Sequence, residues 1–76
     1  MTDLNELPEW FDGIKYDKGE TITNPFTGKK CECTANEVAM YDLIMGANST
    51  KNWIVVQKGC EWFRKANPEA YMILLD

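Results

Sequence analysis

Thr34-Ala35-Asn36-Glu37 opens and Gly46 closes the stretch Val38-Ala39-Met40-Tyr41-Asp42-Leu43-Ile44-Met45, around which the rest of the chain must pack. Its first four residues fit a capping box. The Thr34 hydroxyl accepts from the Glu37 amide, and the Glu37 carboxylate reaches back to the Thr34 amide. Between Val38 and Met45 only Asp42 is charged. At about 100° per residue the apolar side chains then point in nearly every direction. A helix of this kind must be covered on most sides. Gly46 is the expected stop, as a C-cap glycine.

Downstream, a second helix is expected from about Thr50 to Ala66, capped by Ser49 or Thr50. Trp53, Val56, Cys60 and Phe63 form one apolar stripe, with Val55 and Trp62 on its flank. Lys51, Lys58 and Lys65 line the opposite face beside Gln57, Glu61 and Arg64. Glu61 precedes Lys65 by four residues, the favourable order for a helical ion pair. Gly59 lies on the apolar side, where it costs about 1 kcal/mol relative to Ala. A close crossing by the first helix would offset that cost. Asn67-Pro68 ends this helix, and Asn67 can cap another that starts at Pro68. The apolar run Tyr71-Met72-Ile73-Leu74-Leu75 reads as a short helix, with a buried strand as its rival.

Upstream, Glu20-Thr21-Ile22-Thr23 and Lys30-Cys31-Glu32-Cys33-Thr34 read as the arms of a β-hairpin. Asn24-Pro25-Phe26-Thr27-Gly28 is the turn between them, with Pro25 presetting φ and Gly28 able to take a positive one. A two-stranded ribbon is not stable alone and must lean on the helices. Before it, Leu7-Pro8-Glu9-Trp10-Phe11-Asp12-Gly13 suggests one short helical turn anchored by its aromatics. The expected fold is therefore α+β, mainly α: a small hairpin packed on two principal helices, with short terminal helical turns. Residues 1–76 are expected to form one small domain, with residues 1–6 as a flexible tail.

The composition is that of an ordinary globular chain, 45% apolar and 26% charged. The net charge of −4 argues against general nucleic-acid binding, which phosphate attraction dominates. Residues 1–28 hold six acids against Lys15 and Lys18, while residues 49–76 hold four cations against Glu61, Glu69 and Asp76. The Lys51/Lys58/Lys65 stripe is read as a solvated helix face. No apolar run approaches the roughly 18 residues of a membrane span, and Met1-Thr2-Asp3-Leu4-Asn5-Glu6 lacks a signal-peptide pattern. The expected setting is cytoplasmic, neither secreted nor membrane-bound.

Chemistry finds little support. There is no histidine to serve as base or ligand. No glycine-rich phosphate-binding fingerprint occurs, and no carboxylate pair stands in an apolar context. No enzymatic activity and no cofactor are expected. Three cysteines are an odd number, so reduced thiols are the default. Cys31 and Cys33 would share one face of a strand with Glu32 opposite. With Cys60 they are the weak candidates for a thiolate metal site, the alternative reading being a metal-binding regulatory module. Against it, zinc sites favour Cys-x-x-Cys and a fourth ligand.

Apolar surplus is what remains. So few elements cannot shield a helix that is apolar nearly all round, and small domains often gain missing buried area by self-association. A homo-oligomer is expected, with a dimer favoured. Its seam would be the first helix or the tail. The expected contact residues are Trp10, Phe11, Trp62, Tyr71, Met72 and Leu74.

Asn24-Pro25-Phe26-Thr27-Gly28, Met40-Tyr41-Asp42-Leu43-Ile44-Met45-Gly46 and Trp62-Phe63-Arg64-Lys65-Ala66-Asn67-Pro68-Glu69-Ala70-Tyr71-Met72 together resemble short uncharacterised proteins of contractile-tailed phages infecting marine cyanobacteria. The likeness covers most of the chain after Leu7. It implies no activity and no catalytic residue. It implies only context, expression inside an infected bacterial cell. The expected function is a small non-enzymatic interaction protein, self-associating through helix faces, acting as a virion accessory or as a binder of a host protein.

Overall fold

The computed structural model describes residues 6–75. In chain order it has strands β1 (Glu20–Thr23) and β2 (Lys30–Cys33), then helices α1 (Ala35–Ser49), α2 (Trp53–Ala66) and α3 (Pro68–Leu74). This is a small, mainly helical α+β fold. The strands pair antiparallel, with Ile22 opposite Cys31 and Glu20 opposite Cys33. Alternation turns Ile22, Cys31 and Cys33 inward and leaves Thr21 and Glu32 in solvent.

The hairpin turn is built around Asn24, which is only 6% exposed. Its Oδ1 accepts from the amides of Phe26 (2.8 Å) and Thr27 (3.3 Å). Its Nδ2 donates to the carbonyl of Ile73 near the end of α3, at 2.9 Å. One side chain therefore closes the turn and clips it to the C-terminal helix. Gly28 takes φ +76°, which only glycine adopts freely.

Helix α1 starts as expected. Both arms of the capping box form: Thr34 Oγ1 accepts from the Glu37 amide, and Glu37 Oε1 accepts from the Thr34 amide at 2.9 Å. Glu37 is 2% exposed, and its second oxygen accepts from Asn67 Nδ2 at 3.2 Å. Asn67 in turn accepts from the Ala70 amide and caps α3. The start of α1 and the start of α3 are thus joined through a buried carboxylate.

The end of α1 departs from expectation. The helix runs through Gly46 to Ser49, and α2 starts at Trp53 with Asn52, not Ser49 or Thr50, as its cap. The stop is a Schellman motif. The Lys51 amide donates to Asn48 and the Asn52 amide to Ala47, with Lys51 at φ 62°. A lysine holds the left-handed position that glycine usually fills. Asn52 closes one helix with its amide and opens the next with its side chain, so the link is only three residues, Thr50 to Asn52.

The crossing at Gly59 is as close as its place on the apolar side suggested. A Cβ there would lie 2.5 Å from Ile44 Cγ1 and 2.9 Å from Ile44 Cδ1. The core gathers around this point, with Phe63 and Met40 at 0% exposure and Ile44 at 2%. Helix α1 packs chiefly on α2, α2 also on α3, and α3 on β2. The tail is helical, which settles the helix-or-strand ambiguity, and it buries Ala70 and Leu74.

The N-terminal segment, with the hairpin and the other helices, covers the remaining side of α1, so the first helix is wrapped within one chain. Residues 6–19 form an irregular strap. Phe11 is buried, and its amide closes a single turn onto the Pro8 carbonyl. Gly13 lies against Leu43, and the Tyr16 hydroxyl donates to Asp42 at 2.9 Å. The strap also ties onto α2, through Trp62 Nε1 donating to the Glu6 carbonyl at 2.9 Å. Of the tail expected over residues 1–6, residues 1–5 lie outside the described residues, and Glu6 is held by this bond.

Candidate functional site

With α1 wrapped by α2, hairpin and strap, the uncovered apolar area lies elsewhere. Phe26 is 95% exposed, Ile14 68%, Ile54 67%, Met72 66% and Trp53 56%. Trp53, expected in the buried stripe of α2, stands in solvent. It is the first residue of α2, level with the turn after Ser49, where α1 has already ended.

Phe26 borders a groove of about 260 Å³ where the ends of four elements meet. The hairpin turn supplies Phe26, α1 supplies Ile44 and Met45, α2 supplies Val56 and Cys60, and the end of the chain supplies Leu74 and Leu75. Asn24 and Asn48 complete the lining, and no charged side chain is among these residues. Trp53 precedes the groove-lining Val56 by one helical turn of α2. Charge would lower the affinity of such a surface for apolar groups, and here there is none in the lining.

The expected contact residues divide. Phe11 and Leu74 are core residues, at 9% and 5% exposure. Trp10, Trp62 and Tyr71 are half-buried, and Met72 is exposed. Trp10 and Trp62 do come together, across a shallow cleft with Lys58, Glu61 and Lys65. There the Lys58 ammonium sits 5.9 Å from the Trp10 ring centroid, and Lys65 pairs with Glu61 at 3.8 Å. Trp62 spends its one donor on the strap. Phe26 and Trp53 were not among the expected contact residues, yet both are exposed. Phe26 reads as turn filler, and Trp53 has the spacing of a core residue. The signal that could have found Phe26 is a large aromatic inside a five-residue turn, where no neighbouring strand can cover it.

The thiols form a pair and a single, not a trio. Cys31 and Cys33 lie side by side on the inner face of β2, whereas Cys60 lines the groove on α2. Among the described residues no group of three or more His, Cys, Asp or Glu is placed to hold a metal ion. Burial pushes the Cys33 thiol up to about 12, with the neighbouring Cys31 thiol and the Glu37 carboxylate adding to the effect. Burial also raises Cys60, with Arg64 working weakly against it. Both groups are thiols at neutral pH and poor nucleophiles.

Among the described residues no helix is long and apolar enough to cross a membrane. Comparison with protein-family models, with curated proteins and with solved structures finds no match for this chain.

Proposed function

We propose that this chain is a small, non-enzymatic protein–protein interaction module that associates with itself through apolar surface left uncovered by its own fold. One observation carries the reading: a 95%-exposed phenylalanine beside a groove with no charged lining residue. Exposed apolar side chains beside an uncharged groove are a common feature of interaction sites. In the setting that the sequence resemblance implies, the module acts in the cytoplasm of an infected cell or in the virion, as an accessory part or as a binder of a host protein. The seam moves from the first helix to the groove, because the strap and α2 already cover α1.

Light scattering coupled to size exclusion tests the reading. The expected mass at tens of micromolar is twice the 8.7 kDa of one chain. A monomer mass across the whole micromolar range would overturn it.

A further inference from the structure

We propose that Cys31 and Cys33 form a redox-sensitive latch: a small-molecule disulfide joins the two thiols into one bond, and that bond loosens the start of α1. The latch goes beyond the interaction reading and does not depend on it.

The two thiols converge. Cys31 and Cys33 share the inner face of β2, two residues apart. The Cys31 thiol reaches forward to the Glu32 carbonyl at 3.7 Å, and the Cys33 thiol reaches back to the Cys31 carbonyl at 3.8 Å. Both carbonyls lie between the two side chains along the strand, and the thiols are within hydrogen-bonding reach of each other. Two steps of an extended strand set their Cα atoms about 6.4–6.8 Å apart. Disulfides span up to about 6.8 Å and favour about 5.5–6 Å. The bond is therefore within reach, provided that β2 buckles at Glu32.

Burial sets the order of events. Cys31 is half-buried, whereas Cys33 is 7% exposed and burial keeps it a thiol. An oxidant therefore meets Cys31 first. With oxidised glutathione as the disulfide, Cys31 gives its proton to water and attacks one of the two sulfurs. A Cys31–glutathione bond forms, the glutathione disulfide breaks, and one glutathione leaves as a thiolate that takes up a proton. Cys33 then loses its proton and attacks Cys31 Sγ. The Cys31–Cys33 bond forms, and the second glutathione leaves in the same way. The protein loses two electrons and the glutathione disulfide gains them. Burial makes Cys33 a poor nucleophile, but its target is a neighbouring atom. Well-placed intramolecular reactions reach effective concentrations of about 10⁵ M or more. Cys60 stands apart on α2, beside the groove.

The strand cannot buckle freely. Cys31 and Cys33 pair with Ile22 and Glu20 of β1, and a Cβ on Gly19 would overlap the Cys33 carbonyl oxygen. The next residue, Thr34, caps α1, and Glu37 carries that cap on to Asn67 and α3. A buckle at Glu32 is thus passed to both helix starts. The oxidised chain is less stable than the reduced one, and thiols reopen its bond readily, as they do strained disulfides.

The test incubates the full chain with oxidised glutathione at pH 8, blocks free thiols with iodoacetamide in urea and maps the product by mass spectrometry. The expected product has lost two hydrogens, is alkylated on Cys60 alone and regains its three free thiols in dithiothreitol. Its Tm should lie at least about 4 °C below that of the reduced chain at the same protein concentration. Cys33→Ser should stop with one glutathione held on Cys31. Cys31→Ser should react at least about tenfold more slowly, because burial holds both remaining thiols protonated.

A wild-type product that keeps glutathione on Cys31, or that has Cys60 in the bond, would overturn the pairing. So would native thiols that stay free while the urea-unfolded chain is oxidised. Cys31→Ser reacting as fast as wild type would overturn the order of events. A Cys31–Cys33 bond with an unchanged or raised Tm would overturn its action on α1. The pairing and its effect are both read on the wild type, so they are tested even if a variant fails to fold.

Discussion

Two helical glycines should respond to the same substitution with opposite signs. Gly59→Ala gains about 1 kcal/mol in helix propensity. The new methyl would stand 2.5 Å from Ile44 Cγ1, 2.9 Å from Ile44 Cδ1 and 3.4 Å from Met40 Sδ. Carbon atoms prefer about 3.5–4.0 Å, so the Ile44 contacts fall well inside the repulsive wall. Neither neighbour can retreat into solvent, since Ile44 is 2% and Met40 0% exposed. Overpacking of this kind costs about 1–3 kcal/mol, and somewhat more when a contact is this short. The net expectation is a loss of about 1–2 kcal/mol, or a fall in Tm of about 5–15 °C for a chain of this size. At Gly46 a Cβ meets nothing within 4 Å, and the residue is exposed in mid-helix. Gly46→Ala should therefore raise stability by about 0.5–1 kcal/mol.

Thermal and urea unfolding at one fixed protein concentration reads both, because dimerisation would otherwise mix into the comparison. A double-mutant cycle adds a specific check. Ile44→Ala alone should cost about 2–5 kcal/mol, and about 1 kcal/mol or more of that should disappear in the Gly59→Ala background. If Gly59→Ala stabilised the chain as Gly46→Ala does, the close crossing of α1 and α2 would be refuted.

Other outcomes follow from the same contacts. Lys51→Gly should stabilise by about 0.5–1 kcal/mol in urea denaturation, because Lys51 sits at φ 62°. Glu37→Gln should cost about 1–3 kcal/mol by the same assay, since an amide facing Asn67 Nδ2 sets donor against donor in a buried place. Cys33 has its ordinary value of 9.0 when unfolded and about 12 when folded, so the folded chain keeps a proton that the unfolded chain releases. Its contribution is present in full below pH 9 and is lost as pH rises toward 12. Urea midpoints should fall across that window and fall less steeply in Cys33→Ala. Changing all three cysteines to Ser should leave the circular dichroism spectrum intact at a cost of roughly 1–3 kcal/mol in lost burial. Collapse of the wild-type fold on adding a chelator would instead favour the thiolate metal reading.

Features written locally were legible in the sequence. The capping box at Thr34 and Glu37, the turn from Asn24 to Gly28 and the restart at Asn67-Pro68 each depend on residues within five positions of one another. The crossing at Gly59 was legible for another reason, since a glycine on a buried helix face needs a neighbour to justify it. The end of α1 was not legible. Gly46 is the usual kind of stop, yet hydrogen bonds from Lys51 and Asn52 carry the helix past it. The strap was illegible because its contacts span up to 56 residues and follow no period. Helix α1 looked short of cover, and the real excess at Phe26 was hidden in a turn whose residues seemed chosen only for backbone geometry.

The strap has a kinetic consequence. Across residues 6–19 no strand or helix forms, and the band is held by side-chain contacts (Leu7, Trp10 and Phe11 on the core, the Glu6 carbonyl on Trp62, Tyr16 on Asp42) and by no ladder of backbone hydrogen bonds. Deuterium should therefore enter these amides well before those of α1 and α2, by peeling of the strap and not by global melting. Each such excursion bares the oily flank of α1 around Leu43. Shelf life at high concentration would then be governed by how firmly this band is fastened, and a tighter N-terminal buckle would slow clumping and raise the midpoint of denaturation together.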